Sequence, residues 1–170
     1  FVASTYADPW FVAGDYSQIE LRVLAHVTKD EGLVSAFLTD QDIHRATAAT
    51  VYGVTPGDVT RQMRDTAKMV NFGIAYGMGE FGLASRTGMT REEAEAFITT
   101  YYRNFPGIAL WQQQTLSSTR EKGYAETLFG RRRYLPAIRS TNFQVRSAAE
   151  REAINMPIRG TAADIIKVAM

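Results

Sequence analysis

The sequence contains no cysteine and only two histidines among its 170 residues. Without thiols the chain can build neither a disulfide framework nor a thiolate metal site. No apolar run approaches the roughly 20 residues that a membrane-spanning helix needs, and no apolar leader of the signal-peptide type opens the sequence. The composition that is present, with 45% hydrophobic and 22% charged residues, is typical of an ordinary globular domain.

The net charge of +1 conceals two regions of opposite sign. Residues 1–60 carry three Lys or Arg and eight Asp or Glu, whereas residues 120–160 carry nine and four. An acidic region suggests a site for cations, and a basic region suggests contact with a polyanion. Two solvated surfaces of opposite sign would give the same pattern, so charge alone leaves both interpretations open.

The apolar periodicity predicts a predominantly α-helical α+β fold, with a little strand on either side of the helical block. A short apolar run at 10–13 is typical of a buried strand, and residues 124–135 are typical of a hairpin with Phe129 and Gly130 at its turn. Capping residues predict helix starts at Ser17, Asp42, Thr60, Thr90 and Pro106. Further helices are predicted over 141–154 and 158–170.

A stripe of two cations and two aromatics follows the helix predicted after Thr60. Arg64, Lys68, Phe72 and Tyr76 are four residues apart, so they share one helical face over about 18 Å. Cations followed by aromatics match a nucleoside triphosphate laid along the helix, with phosphates at the first pair and sugar and base at the second. The alternative is an amphipathic helix with core aromatics and solvated cations. A separate apolar face already exists on this helix at Met69, Val70 and Ile74.

A single carboxylate, Asp15, follows the predicted strand at 10–13. Phosphoryl transfer through two divalent metal ions requires carboxylates fixed on rigid backbone, and a strand end provides that rigidity. One carboxylate does not complete such a site, and Glu20 is poorly placed to bind the same ion. A strand-end Asp that caps a helix or a turn is the competing interpretation.

These two segments resemble family A DNA polymerases, the bacterial DNA polymerase I type. Asp-Tyr-Ser-Gln-Ile-Glu-Leu-Arg at 15–22 is similar to motif A, and Arg-x3-Lys-x3-Phe-Gly-x2-Tyr-Gly at 64–77 is similar to motif B on the fingers O-helix. Residues 123–136 and 150–164 resemble further family segments, so the likeness covers nearly the whole chain. It implies template-directed DNA synthesis, in which a primer 3′-OH attacks the α-phosphate of a dNTP and pyrophosphate leaves.

The resemblance also implies a role for individual residues. Asp15 and the backbone carbonyl of Tyr16 would bind a two-Mg²⁺ site, and Lys68 would act as general acid toward pyrophosphate. Glu20 would be a steric gate against the ribose 2′-OH, held by a hydrogen bond to Tyr76, which would move as the fingers close. Nucleotide contacts are implied for Gln18, Glu20, His44, Arg64, Lys68, Phe72 and Tyr76. Primer–template contacts are implied for Arg133, Arg151, Asn155 and Arg159.

Some of these roles come from the resemblance alone. Considered by itself, His44 is predicted as a partner of Asp42, and the run 131–133 is predicted as a solvated turn with a basic tip. Arg159 departs from the family pattern, which usually has a Gln that reads the minor groove near the primer end. An Arg at this position can still donate to base acceptors and attracts phosphate.

The resemblance divides the chain into a palm segment at 1–40, fingers at 41–140 and further palm helices at 141–170. It implies a second catalytic carboxylate in a His-Asp hairpin beyond residue 170. We therefore expect a segment of a longer, monomeric polymerase that binds dNTP and primer–template DNA but does not catalyse by itself. The parent is expected to be cytoplasmic and nucleoid-associated, in a bacterium or phage, without membrane contact.

Two other classes of protein are compatible with parts of this pattern. A single-subunit RNA polymerase resembles the same motifs, but it should have a small residue in place of Glu20 and a different pair in place of Phe72 and Gly73. A non-catalytic helical domain that only binds nucleic acid would bind DNA tightly without responding to a matched dNTP.

Overall fold

Helices dominate the computed structural model, which describes residues 13–170. In chain order the helices are α1 Ile19–Thr28, α2 Glu31–Leu38, α3 Ile43–Tyr52, α4 Arg61–Ala75, α5 Glu80–Thr87, α6 Arg91–Asn104, α7 Pro106–Lys122, α8 Phe143–Asn155 and α9 Thr161–Ala169. Strands β1 Tyr124–Glu126 and β2 Arg132–Tyr134 form an antiparallel hairpin between α7 and α8. The fold is α+β and predominantly helical, as predicted. The predicted strand at 10–13 lies almost entirely outside the described residues.

Several helices begin at the predicted capping residues. The Asp42 carboxylate accepts hydrogen bonds from the first turn of α3, and the Thr60 hydroxyl accepts one from the first turn of α4. Thr90 and Glu93 form a reciprocal capping box at α6. These side chains satisfy amide groups that the first turn of a helix leaves without partners.

The predicted cap of α1 at Ser17 is wrong. The residue before α1 is Gln18, which has a left-handed backbone (φ 55°) and provides no side-chain cap. A left-handed, non-glycine residue is uncommon and costs conformational energy. Gln18 therefore turns the chain sharply between Asp15 and the start of α1.

The last two helices are continuous rather than separate. A π-helical turn, Met156–Gly160, joins α8 to α9 without leaving the right-handed helical region. Pro157 has no amide hydrogen to donate, and a single wider turn accommodates it within a helix. The sequence analysis predicted a break here, but the π turn instead holds Arg159 between the two helices.

The main core is built by α1 to α7 around α4. Val70 and Ile74 of α4 and Leu24 of α1 are completely buried, and Tyr101 of α6 packs in the same cluster. A second, smaller core joins the hairpin to α8. Helix α4 packs against α1, α3 and α5, and Tyr76 at its C-terminal end contacts Arg159 of the π turn.

Candidate active site

The cation and aromatic stripe on α4 opens onto a cleft of about 400 Å³. The cleft is lined by Asp65, Lys68, Met69, Phe72, Gly73, Tyr76 and Arg86. The rings of Phe72 and Tyr76 are stacked at an angle of 27°, with 6.5 Å between their centroids. Both rings also pack partly against the main core, so each aromatic has one face in the protein and another toward the cleft.

The two cations of the stripe differ in their surroundings. Nε of Arg64 lies 2.6 Å from Oδ2 of Asp42, so this guanidinium already has an anionic partner. Lys68 is exposed, and no carboxylate in the described part of the chain lies within ion-pair distance of its ammonium group. Burial would raise the pKa of Asp42, but hydrogen bonds from Arg64 and from the α3 backbone outweigh it, so the pKa is lowered.

His44 lies behind this pair in a buried polar network. It is only 2% exposed, and the amide Nδ2 of Asn71 lies 3.2 Å from its Nδ1. The same Nδ2 donates to the Thr47 hydroxyl at 3.0 Å. Because Nδ1 accepts from Asn71, a neutral imidazole carries its hydrogen on Nε2. The side chain of Asp42, the partner predicted for His44, instead binds the His44 backbone amide.

Electrostatics favour a neutral His44. Burial lowers the pKa of His44, the Asp42 carboxylate raises it, and the charges of Arg64 and Lys68 lower it further, so that the net shift is downward. The imidazole ring lies 5.6 Å from the ring of Phe72, centroid to centroid. His44 is therefore close to the stripe, whereas His44 considered by itself was predicted only as a partner of Asp42.

Glu20 of α1 meets the end of the stripe. The Tyr76 hydroxyl donates a hydrogen bond to Oε2 of Glu20, and Nε of Arg159 lies 3.3 Å from Oε1. Burial, followed by the hydrogen bond and charge of Glu20, raises the pKa of Tyr76 to about 12, against a weaker lowering by Arg159. The sequence analysis expected the Glu20–Tyr76 contact from the family resemblance, but it did not expect Arg159 to join it.

Asp15 and Tyr16 are exposed on the chain that leads into α1. A carboxylate and a backbone carbonyl are the hard oxygen donors that Mg²⁺ prefers. Within residues 13–170, no group of three or more His, Asp or Glu is arranged to hold a metal ion. The donors therefore fit part of a divalent-metal site, and a further carboxylate would be needed to complete it.

A second cleft, of about 330 Å³, lies between the hairpin and the π turn. It contains three of the four residues predicted to contact DNA, Arg133, Asn155 and Arg159. Nη2 of Arg133 lies 2.8 Å from Glu152, and the buried Oδ1 of Asn155 has no hydrogen-bond partner in the described part of the chain. The arginines of this cleft suit an anionic ligand, whereas the unsatisfied Oδ1 of Asn155 is an acceptor and needs a hydrogen-bond donor.

The fourth predicted DNA contact, Arg151, lies apart from this cleft. Its guanidinium binds the Ser147 hydroxyl at 2.9 Å, and its stem packs against Gly77 at the end of α4. Gly77 has a φ of 70°, and a Cβ at this position would lie 3.3 Å from Cγ of Arg151. A glycine is thus required both by the backbone and by the close approach of α8.

Sequence reasoning missed the contacts that fix the hairpin. Nε of Arg131 lies 2.8 Å from Asp164 of α9, and the Thr127 hydroxyl donates to the same carboxylate at 2.7 Å. Arg132 pairs with Glu126 across the strands. The arginines at 131–133 are exposed, as the predicted solvated turn requires. Each is also held in an ion pair, and no local pattern in the sequence indicated that the partner of Arg131 lies 33 residues away.

Comparison with known proteins gives a consistent result. The pattern of "DNA polymerase family A" matches residues 1–170. DNA polymerase I of Streptococcus pneumoniae serotype 4 is 53% identical over 166 residues, or 97% of this chain and 19% of that protein. DNA polymerase I of Pseudomonas aeruginosa is 54% identical over 159 residues, or 94% of this chain and 17% of that protein. The chain thus spans less than a fifth of the length of these relatives.

A solved structure has the same arrangement of elements. The POL domain of Pol1 from M. smegmatis, in complex with DNA primer-template and dNTP, superposes with a TM-score of 0.87. The match covers 91% of this chain and 27% of that one, with 44% sequence identity. In the described part of this chain, no helix has the length and apolar character needed to cross a bilayer.

Proposed function

Because this chain belongs to DNA polymerase family A, we propose that it forms the nucleotide-binding part of a template-directed DNA polymerase. In this proposal, residues 1–40 and 141–170 belong to the palm and residues 41–140 form the fingers. The reaction is attack by a primer 3′-OH on the α-phosphate of a dNTP paired with the template. The identity to polymerases along almost the whole chain supports this assignment.

The cleft beside α4 is the observation that carries the proposal. Lys68 lines this cleft together with the half-buried rings of Phe72 and Tyr76. Arg86 adds a second cation to the lining, and Asp65 adds one carboxylate. A dNTP fits this order, with its triphosphate toward Lys68 and its sugar and base against the rings. The solvated-cation alternative does not explain why the aromatics and the lysine line the same cavity.

Arg64 contributes to triphosphate binding by exchanging partners. Its guanidinium is held by Asp42 at 2.6 Å, so a phosphate must replace or share that carboxylate. A guanidinium fork can bind two oxygens of either a carboxylate or a phosphate, so the same group can serve both partners. His44, with Nε2–H as its available donor, lies behind the same phosphates, and Gln18 lies near them at the start of α1.

Family A DNA polymerases use divalent metal ions, and we propose Mg²⁺ for this site. Asp15 and the carbonyl of Tyr16 would hold the ions together with a carboxylate from outside residues 1–170. When bound, the ions would lower the pKa of the primer hydroxyl and stabilise charge on the phosphate oxygens. Lys68 would donate a proton to the departing pyrophosphate, for which its position at the phosphate end of the cleft is suited.

Glu20 and Tyr76 would form the wall that meets the sugar. The hydrogen bond between them fixes the carboxylate beside the Tyr76 end of the cleft. A carboxylate in this position would crowd a 2′-hydroxyl, so ribonucleotides would bind less well. Arg133, Arg151, Asn155 and Arg159 would contact the primer–template; the basic cleft between the hairpin and the π turn supports this for three of them.

Nucleotide binding by the chain itself tests the proposal. We expect dATP to bind in the presence of Mg²⁺ and Lys68→Ala to weaken that binding by roughly tenfold, the loss expected of a charge-assisted contact. Lys122→Ala removes an exposed lysine at the end of α7 and serves as the control. Equal affinity in Lys68→Ala and Lys122→Ala would contradict the proposed site.

Primer extension separates binding from catalysis. The 170-residue chain, with Mg²⁺ and four dNTPs, is compared with a chain extended at its C-terminus through the next hairpin of the polymerase. Extension by the longer chain alone would agree with a carboxylate supplied from outside residues 1–170. Extension by the 170-residue chain would mean that the second metal-binding carboxylate lies within it.

A further inference from the structure

Arg159 contacts both members of the proposed sugar gate. Its Nε lies 3.3 Å from Oε1 of Glu20, and its guanidinium carbon lies 4.3 Å from the centroid of the Tyr76 ring. The Tyr76 hydroxyl donates to the other carboxylate oxygen, Oε2. Each of the three side chains therefore contacts the other two, although they belong to the π turn, α1 and α4.

The three contacts together restrict how Glu20 can move. A carboxylate held by one hydrogen bond can rotate about that bond, whereas a carboxylate held at both oxygens has a fixed plane. Arg159 also covers the face of the Tyr76 ring in a cation–π contact, which restricts the ring. Isolated surface ion pairs contribute little, but networks of several groups with good geometry contribute more.

The position of this cluster suits a role in nucleotide recognition. The Glu20 side chain is 25% exposed and that of Arg159 is 59% exposed, so neither is sealed in the core. Tyr76 lines the α4 cleft, and Arg159 lines the basic cleft beside the hairpin. The cluster thus stands between the proposed dNTP cleft and the proposed DNA cleft.

We propose that Arg159 is a positioning residue that fixes the Glu20 carboxylate and thereby sets the discrimination between dNTP and rNTP. The inference rests on the proposed function, since it assigns a new part to the same site. Arg159 does not need to touch the nucleotide. Without it, Glu20 keeps only the Tyr76 bond and can turn aside, which opens space for a 2′-hydroxyl.

Arg159→Gln tests this role because glutamine keeps a polar side chain of moderate length but removes the charge and the planar fork. The affinities of dATP and ATP for the 170-residue chain are measured with Mg²⁺ by competition against a fluorescent dATP analogue. We expect the preference for dATP over ATP to fall roughly twofold to fivefold, the range that a partly exposed ion pair contributes. The change should appear in the ratio of the two affinities, because loss of the Arg159 charge acts on both triphosphates whereas only ATP carries the 2′-hydroxyl that Glu20 would crowd.

Arg91→Gln provides the matched control. Arg91 also makes an exposed ion pair, with Glu80 at 3.4 Å, but it lies at the start of α6, outside the site. This variant should keep the preference of the unmodified chain. The NMR signals of the Tyr76 ring should move in Arg159→Gln and stay in place in Arg91→Gln, because only Arg159 covers that ring.

The possible results separate this inference from the proposed function. If the unmodified chain binds neither nucleotide, the proposed function is wrong and the inference is overturned with it. If it prefers dATP and Arg159→Gln keeps the full preference, only the inference is overturned. If Arg159→Gln does not unfold cooperatively on heating, Arg159→Lys is used in its place. Lysine keeps the positive charge but lacks the planar guanidinium fork, so we expect a smaller loss of the preference for dATP.

Discussion

The Tyr76 hydroxyl at the end of α4 donates a hydrogen bond to Glu20 on α1, 56 residues earlier in the chain. This bond ties the helix that carries the cation and aromatic stripe to the segment that carries Asp15. If α4 moves relative to α1, either this hydrogen bond breaks or Glu20 moves together with Tyr76. It is therefore the point at which closure of a nucleotide cleft would be coupled to the predicted metal-binding segment.

Replacing Glu20 by Gln should lower the pKa of Tyr76, but not all the way to the ordinary tyrosine value of 10.0. Burial is the largest cause of the rise from 10.0 to about 12, and Glu20 is the second, so the variant should titrate between these values. Tyrosine ring-carbon NMR can follow Tyr76 separately from the other tyrosines. Glu126→Gln, on the hairpin, is the control. A wild-type Tyr76 that titrates at 10.0 would show that the bond is not formed in solution.

Replacing Asn71 by Ala should destabilise the chain by about 2–4 kcal/mol, because it empties a buried site and leaves polar partners unsatisfied. Asn71 is 1% exposed and binds both His44 and Thr47. Urea unfolding followed by circular dichroism measures the change. Asn104→Ala is the control: Asn104 is exposed and bonds only to the preceding turn of α6, so its loss should cost about 0.5 kcal/mol or less. Similar losses in both variants would contradict the network.

The buried position of His44 predicts a pH dependence of stability. Its pKa is lowered below 6.5 in the folded chain, so the unfolded chain binds a proton more readily. Stability should therefore fall as the pH drops from about 6.5 toward the lowered pKa, and it should be unaffected by this group above 6.5. Unfolding free energies of His44→Gln and wild type are compared between pH 5 and pH 7, a range that brackets the ordinary histidine pKa of about 6.5.

Histidine 26 supplies the control for this titration, since it is the only other histidine in the sequence. It is exposed on α1. His44→Gln should reduce the wild-type slope between pH 5 and pH 7, and His26→Gln, which removes an exposed imidazole, is the comparison. A slope that disappears in His26→Gln and persists in His44→Gln would reverse the assignment.

Local signals in the sequence were sufficient for most of the helices and for the stripe, but they did not predict α2 or α5. Asp42, Thr60 and Thr90 each cap the helix that follows, because a capping side chain needs only the next three residues. The spacing of Lys68 and Tyr76 likewise predicted their common helical face, because helical periodicity is a local property of the chain. The prediction that Ser17 caps α1 was wrong because its neighbour Gln18 adopts a left-handed backbone conformation. No capping pattern indicates such a conformation.

Partnerships between distant residues could not be predicted in this way. Periodicity gives the helical face on which Arg64 lies, but it does not predict that its ion-pair partner is Asp42, 22 residues earlier in the chain. The pair of Arg159 and Glu20 joins positions 139 residues apart. Such pairs depend on how helices pack, and that packing is set by the buried apolar faces rather than by the charged residues themselves.

Asp30 should be important for stability although it has no place in the proposed site. It is 4% exposed, caps α2, and accepts a hydrogen bond from the Gly107 amide at the start of α7. Asp30→Ala should cost about 2–3 kcal/mol, since it leaves amides of two helices unsatisfied. Asp58→Ala, which removes only an exposed contact with Thr55, should cost about 0.5 kcal/mol or less. Unfolding in urea distinguishes the two, and an equal cost would contradict this account.

The hairpin offers a matched test of DNA binding, because adjacent strand residues point to opposite faces. Arg133 faces the cleft that also contains Asn155 and Arg159, whereas Arg132 pairs with Glu126 and covers the ring of Tyr124. If the cleft binds the phosphate backbone, Arg133→Ala should weaken binding to a primer–template duplex and reduce the slope of log K against log salt by about 1.

Arg132→Ala removes the same charge from the opposite face and should leave that slope unchanged. Fluorescence anisotropy with a labelled duplex at several salt concentrations gives both slopes. The comparison cancels the change in net charge, which is identical in the two variants, so a difference between them reports the position of the charge. Equal slopes in the two variants would mean that the duplex is attracted by the overall basic character of residues 120–160, and that the cleft between the hairpin and the π turn is not its binding site.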